Sequence, residues 1–173
     1  MAIIRPAVIE DLETITAIYN DAIMKTVATF DTQLKTLDEQ RLWFADHGSK
    51  YPLLVAESDG TVVGWAALSR WSDRCAYADT AEISVYVKEL FRGKGFGRKL
   101  LDCILDTGRK SGLHTAIARI TEGNDVSVHL HKAFGFESIG VMREVGRKFG
   151  KLLDVQLMQI VFEDRNQFIS QRG

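Results

Sequence analysis

The run from Thr80 to Leu101, T-A-E-I-S-V-Y-V-K-E-L-F-R-G-K-G-F-G-R-K-L-L, constrains the fold of this chain more than any other. Ile83, Val85 and Val87 alternate with Ser84 and Tyr86, which predicts a strand. From about Gly95, Leu100, Leu101, Ile104 and Leu105 recur at helical steps, so the strand feeds a helix within a few residues. Between the two lies Arg92-Gly93-Lys94-Gly95-Phe96-Gly97, whose glycines let main-chain amides approach a ligand without a Cβ in the way. Those amides point out of the start of a helix, where the dipole favours an anion, and Arg92, Lys94, Arg98 and Lys99 surround them. The segment reads as a phosphate cradle.

The spacing excludes the two commonest phosphate loops. A P-loop requires G-x-x-x-x-G-K-[ST], but Arg98 stands five residues after Gly93 and no Ser or Thr follows Lys99. A dinucleotide fingerprint requires G-x-G-x-x-G, but the third position is Arg98 counted from Gly95 and Leu100 counted from Gly97.

At 173 residues the chain has the length of one domain, expected to span 1–173 with a polar tail over the last ten or so residues. The formal net charge of -1 gives no chain-wide basic field for nucleic acid or an anionic membrane. Cys75 and Cys103 have no metal-ligand spacing, and no metal is expected. Without a membrane-length apolar run or a signal-peptide pattern, the expected location is the cytoplasm.

Along the chain, residues 2 to 5 predict a strand ended by Pro6. Leu12, Ile15, Ile18, Tyr19, Ala22 and Ile23 predict an amphipathic helix over about 9–24. A polar segment around Phe30 precedes a second helix with Leu37, Leu42 and Trp43 on its apolar side. Two runs, 53–57 and 61–68, flank Asp59-Gly60 as a hairpin. A loop covers 70–79, the opening strand and helix follow, and Gly112 is placed as C-cap. Residues 115–120 predict a strand, and 124–133 a helix with Val126, Leu130 and Phe134 on one side. Strands 136–145 and 152–162 are joined across 146–151. The result is an α/β fold, one mixed twisted sheet of about seven strands flanked by about four helices.

The loop matches R/Q-x-x-G-x-G/A through Arg92, Gly95 and Gly97, and the chain thereby resembles the GNAT superfamily of N-acetyltransferases. Within it, R-x-A-Y-x-x-T-A-E-x-S-V-Y-V from Arg74, Asn124 with Ser127 and His131, Val145-Gly146-x-Lys148-Phe149-Gly150 and Asp154-Val155 look like phosphinothricin and methionine sulfone or sulfoximine acetyltransferases. Leu152 departs from the Trp common in those relatives. The resemblance implies acetyl-CoA as cosubstrate, a homodimer with Phe149–Leu153 in its contact, and a small amine as acceptor.

It also implies roles by position. Val85, Tyr86 and Val87 would meet the pantetheine arm, with Asn124 beside it. Arg92, Gly93, Lys94, Gly95, Phe96, Gly97 and Arg98 would hold the diphosphate, with Lys132 near the nucleotide. Glu82 is the general base, since an amine must shed a proton to attack a thioester; paired with an arginine such as Arg74, it would instead be structural. His131 occupies the general-acid position, as acid or as a ligand contact, with His129 nearby. An amino-acid acceptor needs a guanidinium fork for its carboxylate, assigned to Arg74 with Arg70 second. Phe30, Tyr77, Ile83, Ser84 and Lys148 complete the acceptor site. Two other readings share these residues: an acetyltransferase for a peptide N-terminus, polyamine or antibiotic amine, and a CoA-binding sensor without turnover.

Overall fold

The computed structural model describes residues 2–162. Seven strands are present, β1 (Ala2–Pro6), β2 (Leu53–Ser58), β3 (Thr61–Arg70), β4 (Thr80–Val87), β5 (Thr115–Thr121), β6 (Glu137–Lys148) and β7 (Lys151–Val161). Four helices, α1 (Leu12–Lys25), α2 (Leu37–Ala45), α3 (Phe96–Lys110) and α4 (Asp125–Ala133), flank them. The strands form one mixed sheet in the order β1-β2-β3-β4-β5-β7-β6. Element order and sheet class agree with the α/β expectation; the expected polar tail lies outside the described residues.

Local chemistry accounts for most element ends. Asp59 and Gly60 both have positive φ, 50° and 76°, the two-residue turn that matches strand twist between β2 and β3. Thr36 and Glu39 cap α2 reciprocally: Thr36 Oγ1 accepts from the Glu39 amide while Glu39 Oε2 accepts from the Thr36 amide. At the end of α3, Gly112 takes φ 85° just beyond the last turn, a left-handed stop that a side chain would strain.

The helices cover both faces. Leu100, Leu101 and Ile104 of α3 are fully buried with Val63, Leu68 and Ile83 of the sheet. On the opposite face Ile15 and Ile18 of α1 pack with Val55, Trp65 and Ala67. Burying each such aliphatic side chain contributes about 2 kcal/mol, so α3 is anchored firmly beneath the loop that precedes it.

Three details differ from the periodicity. Leu42 is 74% exposed and Val126 82% exposed, while Gln40 and His131 are buried. The expected Trp43 in α2 and Leu130 and Phe134 at α4 do pack on the core, joined by Phe44 and Val128, so each short helix is rotated only far enough to turn Leu42 and Val126 outward. The loop expected across 146–151 is instead a tight turn at Phe149-Gly150, φ 50° and 76°, because Gly146, Arg147 and Lys148 stay in register with Leu153, Leu152 and Lys151.

The register decides where a site forms. β4 pairs antiparallel with β3 from Ala81 to Val87, but its parallel pairing with β5 covers only Thr80, Ala81 and Glu82. β5 pairs with β7 along its whole length, Thr115 to Thr121. From Ile83 onward β4 and β5 therefore diverge, and one edge of β4 faces a gap.

The β3–β4 side of that gap depends on Gly64, where an added Cβ would lie 2.8 Å from the Tyr86 carbonyl oxygen and 3.1 Å from Val87 Cγ2. Because that neighbour is strand backbone, Gly64→Ala is expected to cost about 1–3 kcal/mol. Urea denaturation checks this; an unchanged midpoint contradicts the packing.

Candidate active site

The gap between β4 and β5 opens into a cleft of about 570 Å³, lined by Glu82 to Tyr86 of β4, Ala118 to Thr121 of β5, Asn124, Ser127 and His131 at α4, and Ala28 to Asp31. The β4 amides and carbonyls facing it have lost their strand partner, and backbone groups in that state are satisfied by water or ligand.

Glu82 stands where the two strands part. Arg119 of β5 reaches it with both prongs of its fork: Nε donates to Oε1 at 2.6 Å and Nη2 donates to Oε2. The carboxylate holds the Arg119 guanidinium above its ordinary pKa. Trp71 lies under the guanidinium at 5.8 Å. The side chains are 51% and 23% exposed, and a pair that open to water contributes about 0–1 kcal/mol to folding. The pair can therefore rearrange around a ligand at little cost to the fold.

Asn124 caps α4, its Oδ1 accepting from the Ser127 amide at 3.3 Å. His131 is buried, its Nδ1 2.8 Å from the Ser127 carbonyl oxygen, with Phe136 edge-on at 4.9 Å. A carbonyl only accepts, so Nδ1 carries the hydrogen and Nε2 is left as an acceptor. Burial lowers the imidazole pKa, with the Ser127 bond opposing it.

The opposite wall is a locked loop. Tyr19 Oη donates to Asp31 Oδ2 at 2.6 Å and lies 2.9 Å from Thr29 Oγ1; burial first, then the Asp31 bond, raises the phenol pKa. Lys148, itself buried, donates to the Thr29 carbonyl at 2.7 Å, and burial lowers its ammonium pKa. Phe30 lies so close to Gly146 that any Cβ there would collide with the ring. Trp65 and Tyr86 of the sheet pack edge-on against Tyr19 of α1, and Trp65 also meets Trp43 of α2.

Beyond the end of β4, Gly93 and Gly95 adopt φ 72° and 84°, with open space where a Cβ would stand. Gly93, Lys94 and Gly95 lie in a turn ahead of α3, and the first amides of the helix, Phe96, Gly97 and Arg98, precede its first full backbone bond, from the Lys99 amide to the Gly95 carbonyl at 3.1 Å. The first turn of α3 holds no acid and instead carries Arg98 and Lys99, the reverse of what a helix dipole prefers, at about 0.3–1 kcal/mol per cation. An anion seated there removes that penalty, so the loop fits a diphosphate. Arg92 Nε donates to the Val87 carbonyl at 3.1 Å, and Arg98 stacks on Phe134 of α4 at 5.2 Å.

Of the residues singled out from sequence, Phe30, Glu82, Ile83, Ser84, Val85, Tyr86, Asn124 and His131 meet at the cleft. Arg74 and Tyr77 lie in the exposed 71–79 loop away from its lining, and Arg70 stacks on Tyr51 at 5.7 Å. Lys132 is exposed on α4, and Lys148 props the wall from behind. Sequence reasoning did not single out Arg119, Ser127, Tyr19 or Asp31 as site residues. One signal existed for Arg119: it is the lone charge inside the otherwise strand-like T-A-I-A-R-I-T.

Comparison with known proteins assigns the fold. The pattern of the acetyltransferase (GNAT) domain matches residues 4–157. The chain belongs to the GNAT acetyltransferases. It is 41% identical over 161 residues to the L-methionine sulfoximine/L-methionine sulfone acetyltransferase of Pseudomonas aeruginosa, covering 92% of this chain and 94% of that protein. It is 39% identical over 156 residues to the phosphinothricin N-acetyltransferase of Streptomyces coelicolor, covering 88% and 91%. Among solved structures, a GNAT superfamily phosphinothricin acetyltransferase from Sinorhizobium meliloti in complex with AcCoA superposes with a TM-score of 0.90 at 36% identity, covering 93% of this chain and 88% of that one. This GNAT chain is an acyltransferase, and no helix among its described residues is long and apolar enough to cross a membrane.

Buried His131 and half-buried His47 yield a pH prediction. His131 and His47 are both held below the ordinary imidazole value, chiefly by burial, whereas the unfolded chain protonates near pH 6.5. Below about pH 6.5 the unfolded state binds more protons, so stability is present above that pH and declines as pH falls. Urea midpoints between pH 7.5 and 5.5 are expected to show the decline, and His47→Gln with His131→Gln to flatten it. An equal slope in that variant contradicts the assignment.

Proposed function

We propose that this chain transfers the acetyl group of acetyl-CoA to the α-amine of a small amino-acid-like acceptor of the methionine sulfone, methionine sulfoximine or phosphinothricin type. One observation supports the reading: β4 leaves β5 at Glu82, so a carboxylate and an unpaired strand edge share one cleft, and the strand that carries them runs on into the glycine loop at the start of α3. Acetyl-CoA supplies an acyl group on a good leaving sulfur.

The chain's own residues supply the rest. The amides from Gly93 to Arg98, with Arg92, Lys94 and Arg98 around them, take the diphosphate; the β4 edge at Val85, Tyr86 and Val87, with Asn124 opposite, aligns the pantetheine arm. Lys132 extends the basic surface toward the nucleotide. Glu82 accepts the proton that the acceptor ammonium must lose, directly or through one water. A carboxylate has about four lone-pair sites, and Arg119 occupies one on each oxygen, so a site for an N–H remains. A β4 amide stabilises the oxyanion as charge develops on the acyl oxygen. His131, neutral and with Nε2 free to accept, is assigned a hydrogen-bonding contact in the resting enzyme. Phe30, Ile83 and Ser84 shape the acceptor side.

Incubation with acetyl-CoA and each amino acid, followed by thiol release, tests the reading; no turnover across the panel rejects it. Glu82→Gln is expected to lower kcat by about 10²–10⁴-fold. A variant that keeps wild-type kcat at every pH removes Glu82 from the base role. A CoA-binding sensor would show no turnover in either form, and a peptide or polyamine acetyltransferase would turn over those amines in preference.

The enzyme is further proposed to act as a homodimer through the edge hairpin. β6 is the outermost strand and carries exposed Ile139, Val141 and Val145, with Phe149 and Leu152 at its turn. A long apolar edge of this kind calls for a cover, and a second copy provides one. Phe149, 58% exposed, can change without disturbing the core. Phe149→Glu is expected to shift the species seen in sedimentation velocity from dimer to monomer; a wild-type monomer rejects the proposal.

A further inference from the structure

The cleft holds one feature that the reaction as described does not use in full. Arg119 spends Nε and one Nη2 hydrogen on Glu82, while Nη1 and the second Nη2 hydrogen donate to no described residue. A guanidinium has five donors in a fixed plane, and Trp71 beneath it fixes that plane. Arg119 is one of the residues that line the cleft.

Every other cation near the acceptor side is engaged elsewhere or set apart. Lys148 is buried on the Thr29 carbonyl, Lys35 pairs with Asp31 at 3.3 Å, and Arg70 stacks on Tyr51. Among the described residues lining the cleft, Arg119 is the one permanent cation. Without it, an acceptor carboxylate would meet the Glu82 carboxylate with no cation of the cleft lining beside it.

We infer that Arg119 is the specificity-determining residue that binds the acceptor's α-carboxylate through its free Nη edge, while the amine on the same carbon meets Glu82. This rests on the acetyltransferase reading above and narrows it: the Glu82–Arg119 pair presents an anion and a cation side by side, the mirror of an amino-acid zwitterion. A zwitterion placed across the pair exchanges one charge contact for two. An amine lacking the carboxylate offers Arg119 nothing and leaves the amine free to turn from Glu82. The carboxylate fork expected at Arg74 is thereby assigned to β5.

The purified full chain is assayed by thiol release with acetyl-CoA against L-methionine sulfone and against 3-(methylsulfonyl)propan-1-amine, the same molecule without its carboxylate. Wild type is expected to prefer the amino acid by about ten- to a hundredfold in kcat/KM, the scale of a charge-assisted hydrogen-bonded pair. Arg119→Met is expected to bring that ratio within a few-fold of one, mainly by raising KM for the amino acid. Arg119→Lys, with charge but no fork, is expected to fall between. A wild-type ratio near one overturns the assignment without any variant having to fold. So does Arg119→Met lowering both substrates in equal proportion, since Arg119 would then serve Glu82 alone. Turnover of neither compound defeats both this assignment and the acceptor class proposed above, whereas equal turnover of both defeats this assignment only.

Discussion

Parallel pairing between β4 and β5 ends at Glu82, and the site exists because it ends there. β4 is tied by a continuous antiparallel ladder to β3, and β5 by another to β7. Each strand pair twists in the right-handed sense, and with only Thr80, Ala81 and Glu82 holding the halves together the twists open a wedge instead of a flat sheet. The wedge exposes polar backbone on β4 that water or a ligand can satisfy. It also sets Glu82 at the junction, with Arg119 across the opening.

The scaffold around the wedge is stiff where it must be. α3 carries its leucines and isoleucine into the main core, which fixes the glycine loop at its start despite two cations in the first turn. On the other wall the Tyr19, Thr29 and Asp31 bonds and the buried Lys148 hold the 26–31 loop against Gly146 and the β6–β7 hairpin. Packing and buried bonds carry the folding energy. The Glu82–Arg119 pair, open to water, carries little of it and is free to exchange partners.

Charge is distributed unevenly around β4. The glycine loop beyond its end gathers Arg92, Lys94, Arg98 and Lys99, while the cleft holds Glu82, Asp31 and the Arg119 guanidinium. Burial holds the His131 imidazole below its ordinary pKa. Under the proposed function the phosphates of the acyl donor would sit at the loop and the amine at Glu82.

Local sequence determined a good deal: the glycine loop between β4 and α3, the Asp59-Gly60 turn, the Thr36–Glu39 cap, the order of strands and helices, and the placement of Glu82 just before the loop. These depend on φ preferences, side-chain periods and capping chemistry that neighbouring residues settle among themselves. Leu42 and Val126 reading as core and the 146–151 turn reading as a wide loop mark where that information stops. Which face of a short helix is buried depends on what packs above it, and how long a hairpin stays paired depends on its partner. Only tertiary structure brought Arg119 of β5 against Glu82 of β4, thirty-seven residues apart in the chain, because that meeting follows from where two half-sheets diverge.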